Sequence, residues 1–169
     1  DGMQFYFATR TQYRNKTNAD FLENLHQQFG DFYLIPEGGT NEFAVKGCEE
    51  ILTDEDAVFN FVCCAVGTGG TISGIINSLK PHQKAIGFPA LKGDFLFNDI
   101  QKYVKNTQWD LVTDYHFGGY AKINTELKLF LNSFYQKYLI SLDPVYTSKM
   151  VFGVIDLISK EYFPENSKI

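Results

Sequence analysis

Apolar positions along the chain switch between a spacing of two and a spacing of three to four. Met3-Gln4-Phe5-Tyr6-Phe7-Ala8-Thr9 is aromatic-rich and short, as a strand would be. Asn18 then stands as an N-cap before Phe21, Leu22, Leu25 and Phe29, which share one helical face. Gly30 sits where such a helix ends. Residues 32–35 predict a second strand, closed by Pro36 and the turn Glu37-Gly38-Gly39-Thr40-Asn41. Phe43, Ala44, Gly47, Cys48, Ile51 and Leu52 form one stripe, and the small Ala44 and Gly47 are expected to bring this helix close against a sheet. Residues 57–66 are almost continuously apolar, the pattern of a strand covered on both faces.

The same alternation continues to the end. Ile72, Ile75, Ile76 and Leu79 predict a helix, 84–88 a strand, 94–104 a helix and 109–113 a strand. Asn124 caps an expected helix that buries Leu127, Phe130, Leu131, Phe134 and Tyr138. A last helix is expected over 148–158, and 167–169 reads as the start of a strand. Strands alternating with crossover helices predict an α/β fold, a doubly wound, mostly parallel sheet with helices on both faces. Asp1 precedes an expected strand and Ile169 stops where another should begin, so both ends are expected to be cuts in a longer protein.

Composition narrows the function. The 169 residues hold 15 Lys and Arg against 20 Asp and Glu, a net charge of −5 without a basic cluster. That argues against a nucleic-acid or anionic-membrane surface. No apolar run is long enough for a transmembrane helix, and no basic segment followed by an apolar one opens the chain. Cys48, Cys63 and Cys64 are an odd count and are expected to be reduced thiols in a cytoplasmic protein. Cys63 and Cys64 would face opposite sides of their strand as small hydrophobes. His26, His82 and His116 lack metal-ligand spacing, so no metal site is expected.

The densest chemical signal is Gly67-Thr68-Gly69-Gly70-Thr71, between a buried strand and a helix start. Such a turn exposes backbone N–H groups at the positive end of a helix, and threonine hydroxyls add donors, so it reads as an anion site. A ligand-free tight turn is the plainer alternative. The dinucleotide pattern G-x-G-x-x-G fails at Ile72. A nucleotide P-loop fails because Ile75 and Ile76 stand where Lys and Ser or Thr belong. A compact monophosphate remains.

With Val66 before it and Ile72-Ser73-Gly74 after it, this loop resembles the phosphate loop of fold-type II pyridoxal-phosphate enzymes, the tryptophan synthase β-like group. Ile35-Pro36-Glu37-Gly38-Gly39-Thr40-Asn41, His116-Phe117-Gly118-Gly119-Tyr120 and Leu142-Asp143-Pro144-Val145-Tyr146-Thr147 narrow the resemblance to the 1-aminocyclopropane-1-carboxylate deaminase / D-cysteine desulfhydrase family. The resemblance implies pyridoxal 5′-phosphate held at Gly67, Thr68, Gly69, Gly70 and Thr71, with Tyr120 and Tyr146 facing a small amino-acid substrate. It implies a homodimer that releases ammonia and a 2-oxo acid. Thr147 stands where the deaminases of the family carry Glu near the pyridine nitrogen. Threonine there is typical of the desulfhydrases and favours β-elimination.

The resemblance also implies about three hundred residues, with the lysine that carries the cofactor upstream of the loop. No segment before Val66 resembles that lysine's motif. Residues 1–9 are therefore expected to end a smaller domain, and 10–169 to form most of the larger, cofactor-binding one. The isolated piece is expected to be inactive whether or not it holds the cofactor. A non-catalytic phosphate- or nucleotide-binding module and a purely structural piece are the competing readings.

Overall fold

The computed structural model describes residues 2–169, and Asp1, which opens the first expected segment, lies outside them. The chain divides into two compact units, Asp1–Ile35 and Pro36–Ile169.

The first unit carries two helices. Thr9 caps α1, Arg10–Arg14, through a reciprocal pair: the Gln12 N–H donates to Thr9 Oγ1 (3.2 Å), and the Thr9 N–H donates to Gln12 Oε1 (2.8 Å). Helix α2, Ala19–Phe29, starts after Asn18 and stops at Gly30, whose φ of 75° only glycine adopts without strain. Neither expected strand forms here: residues 3–9 and 32–35 are irregular and join no sheet. A strand needs a neighbour to take up its N–H and C=O groups, and among its described residues this unit supplies none. Aromatic side chains therefore stay in solvent, with Phe7 89% exposed.

The second unit is built on a parallel sheet in the order β1, Phe61–Val66; β2, Lys84–Pro89; β3, Trp109–Leu111. Phe61 pairs with Lys84 and Val66 with Pro89, and Ala85 pairs with Trp109. The strand expected over 57–66 starts late, at Phe61. The Thr53–Asp56 capping pair opens a 3₁₀ turn, Asp54–Val58, which takes the first residues of the apolar run. The expected helix over 94–104 is α5, Phe95–Gln101, and the last two helices are α6, Thr125–Tyr138, and α7, Thr147–Ser159.

Both faces of the sheet are covered. Cys64, Val66 and Ala85 pack on one face with Ile72, Ile75 and Ile76 of α4, Gly70–Ser78, and with Leu96 and Ile100 of α5. Ile86 and Phe88 pack on the other with Leu157 of α7 and with Phe163. Full burial of side chains such as Ile76 and Ile86 is worth about 1.5–3 kcal/mol each. Cys63 and Cys64 point to opposite cores, as alternation requires, and all three cysteines are free. Burial first, and then the adjacent Cys64, pushes the Cys63 thiol up to about 12. Burial, and then Cys48, pushes Cys64 up to about 11.

Two further expectations need correction. Residues 167–169 form no strand, although the Lys168 carbonyl accepts the Asn60 and Phe61 N–H groups at 2.8 and 3.1 Å, beside the start of β1. Helix α3, Glu42–Cys48, is shorter than its stripe and lies against α4 instead of a sheet. The glycine that permits this is Gly74 of α4, where a Cβ would stand 2.5 Å from the Val45 carbonyl oxygen. Gly47 of α3 has open space around it. Among the described residues no helix is long and apolar enough to cross a membrane.

Gly74→Ala is therefore expected to lower stability by about 1–3 kcal/mol, by forcing α3 and α4 apart. Gly47→Ala should raise it by up to about 1 kcal/mol through helix propensity alone. Urea denaturation of the two variants gives opposite signs, and equal effects would contradict this packing.

Candidate active site

The site starts where β1 ends. After Val66 the chain reaches α4 in three residues, Gly67, Thr68 and Gly69, while the Val66 carbonyl accepts the Ala90 N–H (2.9 Å) at the end of β2. Gly69 is the N-cap of α4 with φ 92°, and it supplies no side chain to the helix start. The first-turn amides of Gly70, Thr71 and Ile72 have no intrahelical carbonyl to donate to. Ser73 ties the loop down from inside, its hydroxyl donating to the Gly69 carbonyl at 2.7 Å.

A second turn closes over this one. Glu37–Gly39 is a 3₁₀ turn in which Gly38 has φ 69°, and a Cβ on Gly38 would collide with the Thr68 side chain. Thr40 follows, its hydroxyl 2.7 Å from that of Thr68. Together the turns bound a cavity of about 230 Å³ lined by Gly67, Thr68, Gly69, Gly70, Thr71 and Tyr146, and on the turn side by Gly38 and Thr40. Among the described residues no lining side chain is charged. Amide dipoles and hydroxyls face the space, with no carboxylate to repel an anion.

Tyr146 borders the loop, and a Cβ on Gly67 would stand 3.3 Å from its ring. Tyr120 meets it edge-on, with ring centroids 6.0 Å apart. Burial raises the Tyr146 phenol above the ordinary tyrosine value, and the Tyr120 hydroxyl and the Asp143 charge add to it. Tyr146 is therefore a neutral hydroxyl here; a cation placed beside it would act in the opposite sense. Thr147 opens α7 with its hydroxyl on Asp143 Oδ2 at 2.6 Å, so its only proton is engaged there. The Asp143 carboxylate also accepts the N–H groups of Val145, Tyr146 and Thr147 at 2.7–2.9 Å. Burial alone would raise the Asp143 carboxyl, but these hydrogen bonds win and lower it to about 2.

No protein-family model matches the chain. It is 31% identical over 159 residues to a Thermotoga maritima protein provisionally named 1-aminocyclopropane-1-carboxylate deaminase, with 82% of this chain and 51% of that protein covered. It is 29% identical to a D-cysteine desulfhydrase of Klebsiella pneumoniae, covering 81% of this chain and 48% of that one. A crystal structure described as an ACC deaminase homologue superposes with a TM-score of 0.76 at 26% identity, over 96% of this chain and 55% of that one. The chain is a relative of the 1-aminocyclopropane-1-carboxylate deaminases and D-cysteine desulfhydrases. It spans about half the length of the curated relatives it matches.

Against the family's motifs, the structure brings the glycine loop and Tyr146 into one cavity and seats Tyr120 on Tyr146. The Thr147 hydroxyl turns to Asp143. Sequence reasoning did not single out Asp143, Gly38 or Thr40 for these contacts. For Asp143 a signal was present: an Asp-Pro pair starts turns and often precedes a helix. Among the described residues no group of three or more His, Cys, Asp or Glu is placed to hold a metal ion.

Asp143 yields a pH prediction. Its folded-state pKa lies below the ordinary carboxyl value of 3.8, so its stabilisation is full above that value and is lost as pH falls towards about 2. Asp143→Ala should cost about 1 kcal/mol at neutral pH, a moderate value because the carboxylate is exposed. The gap between variant and parent in urea denaturation should close through that acid window. A gap that stays constant would contradict the assignment.

Proposed function

We propose that this chain is the phosphate-anchoring part of a pyridoxal-phosphate-dependent enzyme that releases ammonia and a 2-oxo acid from a small amino acid. The observation that carries the reading is the uncapped start of α4, wrapped by Gly67–Thr71 and bordered by a tyrosine. A monophosphate suits this cradle. It needs several N–H donors around one anion, which the loop and first helical turn supply, with the Thr71 hydroxyl and one of the hydrogen-bonded Thr68 and Thr40 hydroxyls as further donors. Bound there, pyridoxal phosphate supplies an electron sink for the charge left on the substrate's Cα.

The chain's own residues hold the phosphate end and carry the Tyr146 phenol beside it, with Tyr120 against Tyr146. Tyr146 and Tyr120 are the groups proposed to face the substrate and to hold or exchange a proton there. Thr147, in place of a glutamate, supports elimination from a β-substituted amino acid such as D-cysteine over opening of a cyclopropane. For D-cysteine the balance is substrate plus water giving pyruvate, ammonia and sulfide. The complete enzyme is proposed to work as a cytoplasmic homodimer.

A second reading has an observation of its own. Among the described residues no lysine lines the cavity, so this chain on its own suits ligand binding without turnover, as in a phosphate- or nucleotide-binding module. Equilibrium dialysis separates the two. The enzyme reading expects pyridoxal phosphate to bind this chain without ammonia release, pyridoxal to bind far more weakly, and ADP not to compete. Thr71→Val should weaken pyridoxal phosphate about tenfold, the loss of one hydrogen bond to a charged group (about 1.5 kcal/mol). Equal affinity for pyridoxal with and without its phosphate would overturn the proposal, and competition by ADP would favour the module.

A further inference from the structure

We propose that Lys149 is a positioning residue for Tyr120, a tethered cation that grips the carbonyls of His116 and Gly119 and fixes the turn from which Tyr120 meets Tyr146. Its functional consequence rests on the reading of the two tyrosines given above; the clamp itself does not.

Lys149 is 1% exposed in the first turn of α7. Burial and the helix dipole both disfavour a cation there. Burial lowers its pKa, only partly offset by the more distant charge of Asp143, and the start of a helix is the positive end of its dipole. Lys149 makes no ion pair among the described residues. Its ammonium donates instead to two backbone carbonyls, His116 at 2.9 Å and Gly119 at 2.8 Å.

Those carbonyls already have partners. The Gly119 N–H donates to His116 O (3.0 Å) and the Lys122 N–H to Gly119 O (3.1 Å), so the two oxygens are the acceptors of successive turns, 116–119 and 119–122. One ammonium thus joins both turns. The segment needs such a tie, because Phe117 and Ala121, which are not glycine, have positive φ, at 52° and 54°, on either side of the freely turning Gly118 and Gly119. Backbone of that kind persists only where its surroundings over-determine it. Tyr120 sits inside this run and is 57% exposed, so the turn and the Tyr146 ring are what hold it. The start of α7 places both members of the pair: Tyr146 directly as its N-cap, and Tyr120 through Lys149.

The test uses the ligand-free chain. In Lys149→Met, amide exchange at Gly119 and Lys122 is expected to quicken about tenfold or more while α4 stays protected. The Tyr146 phenol, followed by NMR of ring-labelled tyrosine, should titrate lower as Tyr120 leaves it. Lys149→Arg should restore much of both signals. In Lys149→Ala, added propylammonium should restore them and tetramethylammonium, which has no N–H, should not. Unchanged exchange and titration in Lys149→Met overturn the proposal. So does a loss that neither arginine nor propylammonium reverses, which is the mark of general packing damage. If Lys149→Met does not fold, the arginine and alanine variants carry the same comparison. Failure of pyridoxal phosphate to bind would sink the enzyme reading and leave the clamp standing.

Discussion

Strand β1 is packed on both faces and paired along its whole length with β2, so its carboxyl end is held, and the chain leaves it for α4 within three residues. That constraint makes the site. The exit has to turn under the first residues of α4 without a side chain in the way, which selects glycine at 69, and it leaves the helix start without a cap. The turn at Glu37–Gly39 then packs on the same exit, through the contact between Thr40 and Thr68. Moving β1 by one residue would exchange its two faces and carry the loop out of register with both helices.

Two helices begin near Tyr146, and they are treated in opposite ways. Helix α7 is closed by Asp143, which takes three N–H groups and a hydroxyl at its start. Helix α4 has no such carboxylate, and its first amides open on a cavity without charged walls. An incoming anion is therefore repelled from one helix start and drawn to the other. The lysine in the first turn of α7 is tolerated partly because Asp143 offsets the dipole it faces.

Much of this was legible in the amino-acid pattern, and the exceptions have physical causes. Helices α2, α6 and α7, the three strands of the sheet and the glycine loop follow from periodicity and caps, because each is specified by residues within one element. Residues 3–9 and 32–35 have strand composition, yet a strand depends on a partner that local pattern does not contain. The seat of α3 depends on Gly74 of another helix, so its own stripe pointed to a sheet. Asp143 and Lys149 escaped for a related reason. Lys149, a charged residue in a helical pattern, reads as solvent-facing until tertiary contacts show what it binds, and the Asp-Pro pair at Asp143 marks a turn without saying which N–H groups the carboxylate takes. The cavity's outline was legible at Gly67–Thr71; its second wall, from Gly38 to Thr40, became evident only in three dimensions.

The adjacent cysteines of β1 give the buried sheet a pair of internal reporters. Cys63 looks into the core shared with α7 and Cys64 into the core shared with α4 and α5. Cys64 is buried and Cys63 half-buried, and their thiols, held near 11 and 12, carry almost no thiolate at neutral pH and react slowly while both layers are closed. A layer that lifts off alone would label one cysteine and spare its neighbour. A rise in the labelling of one cysteine relative to the other thus records which helical layer of the sheet has loosened.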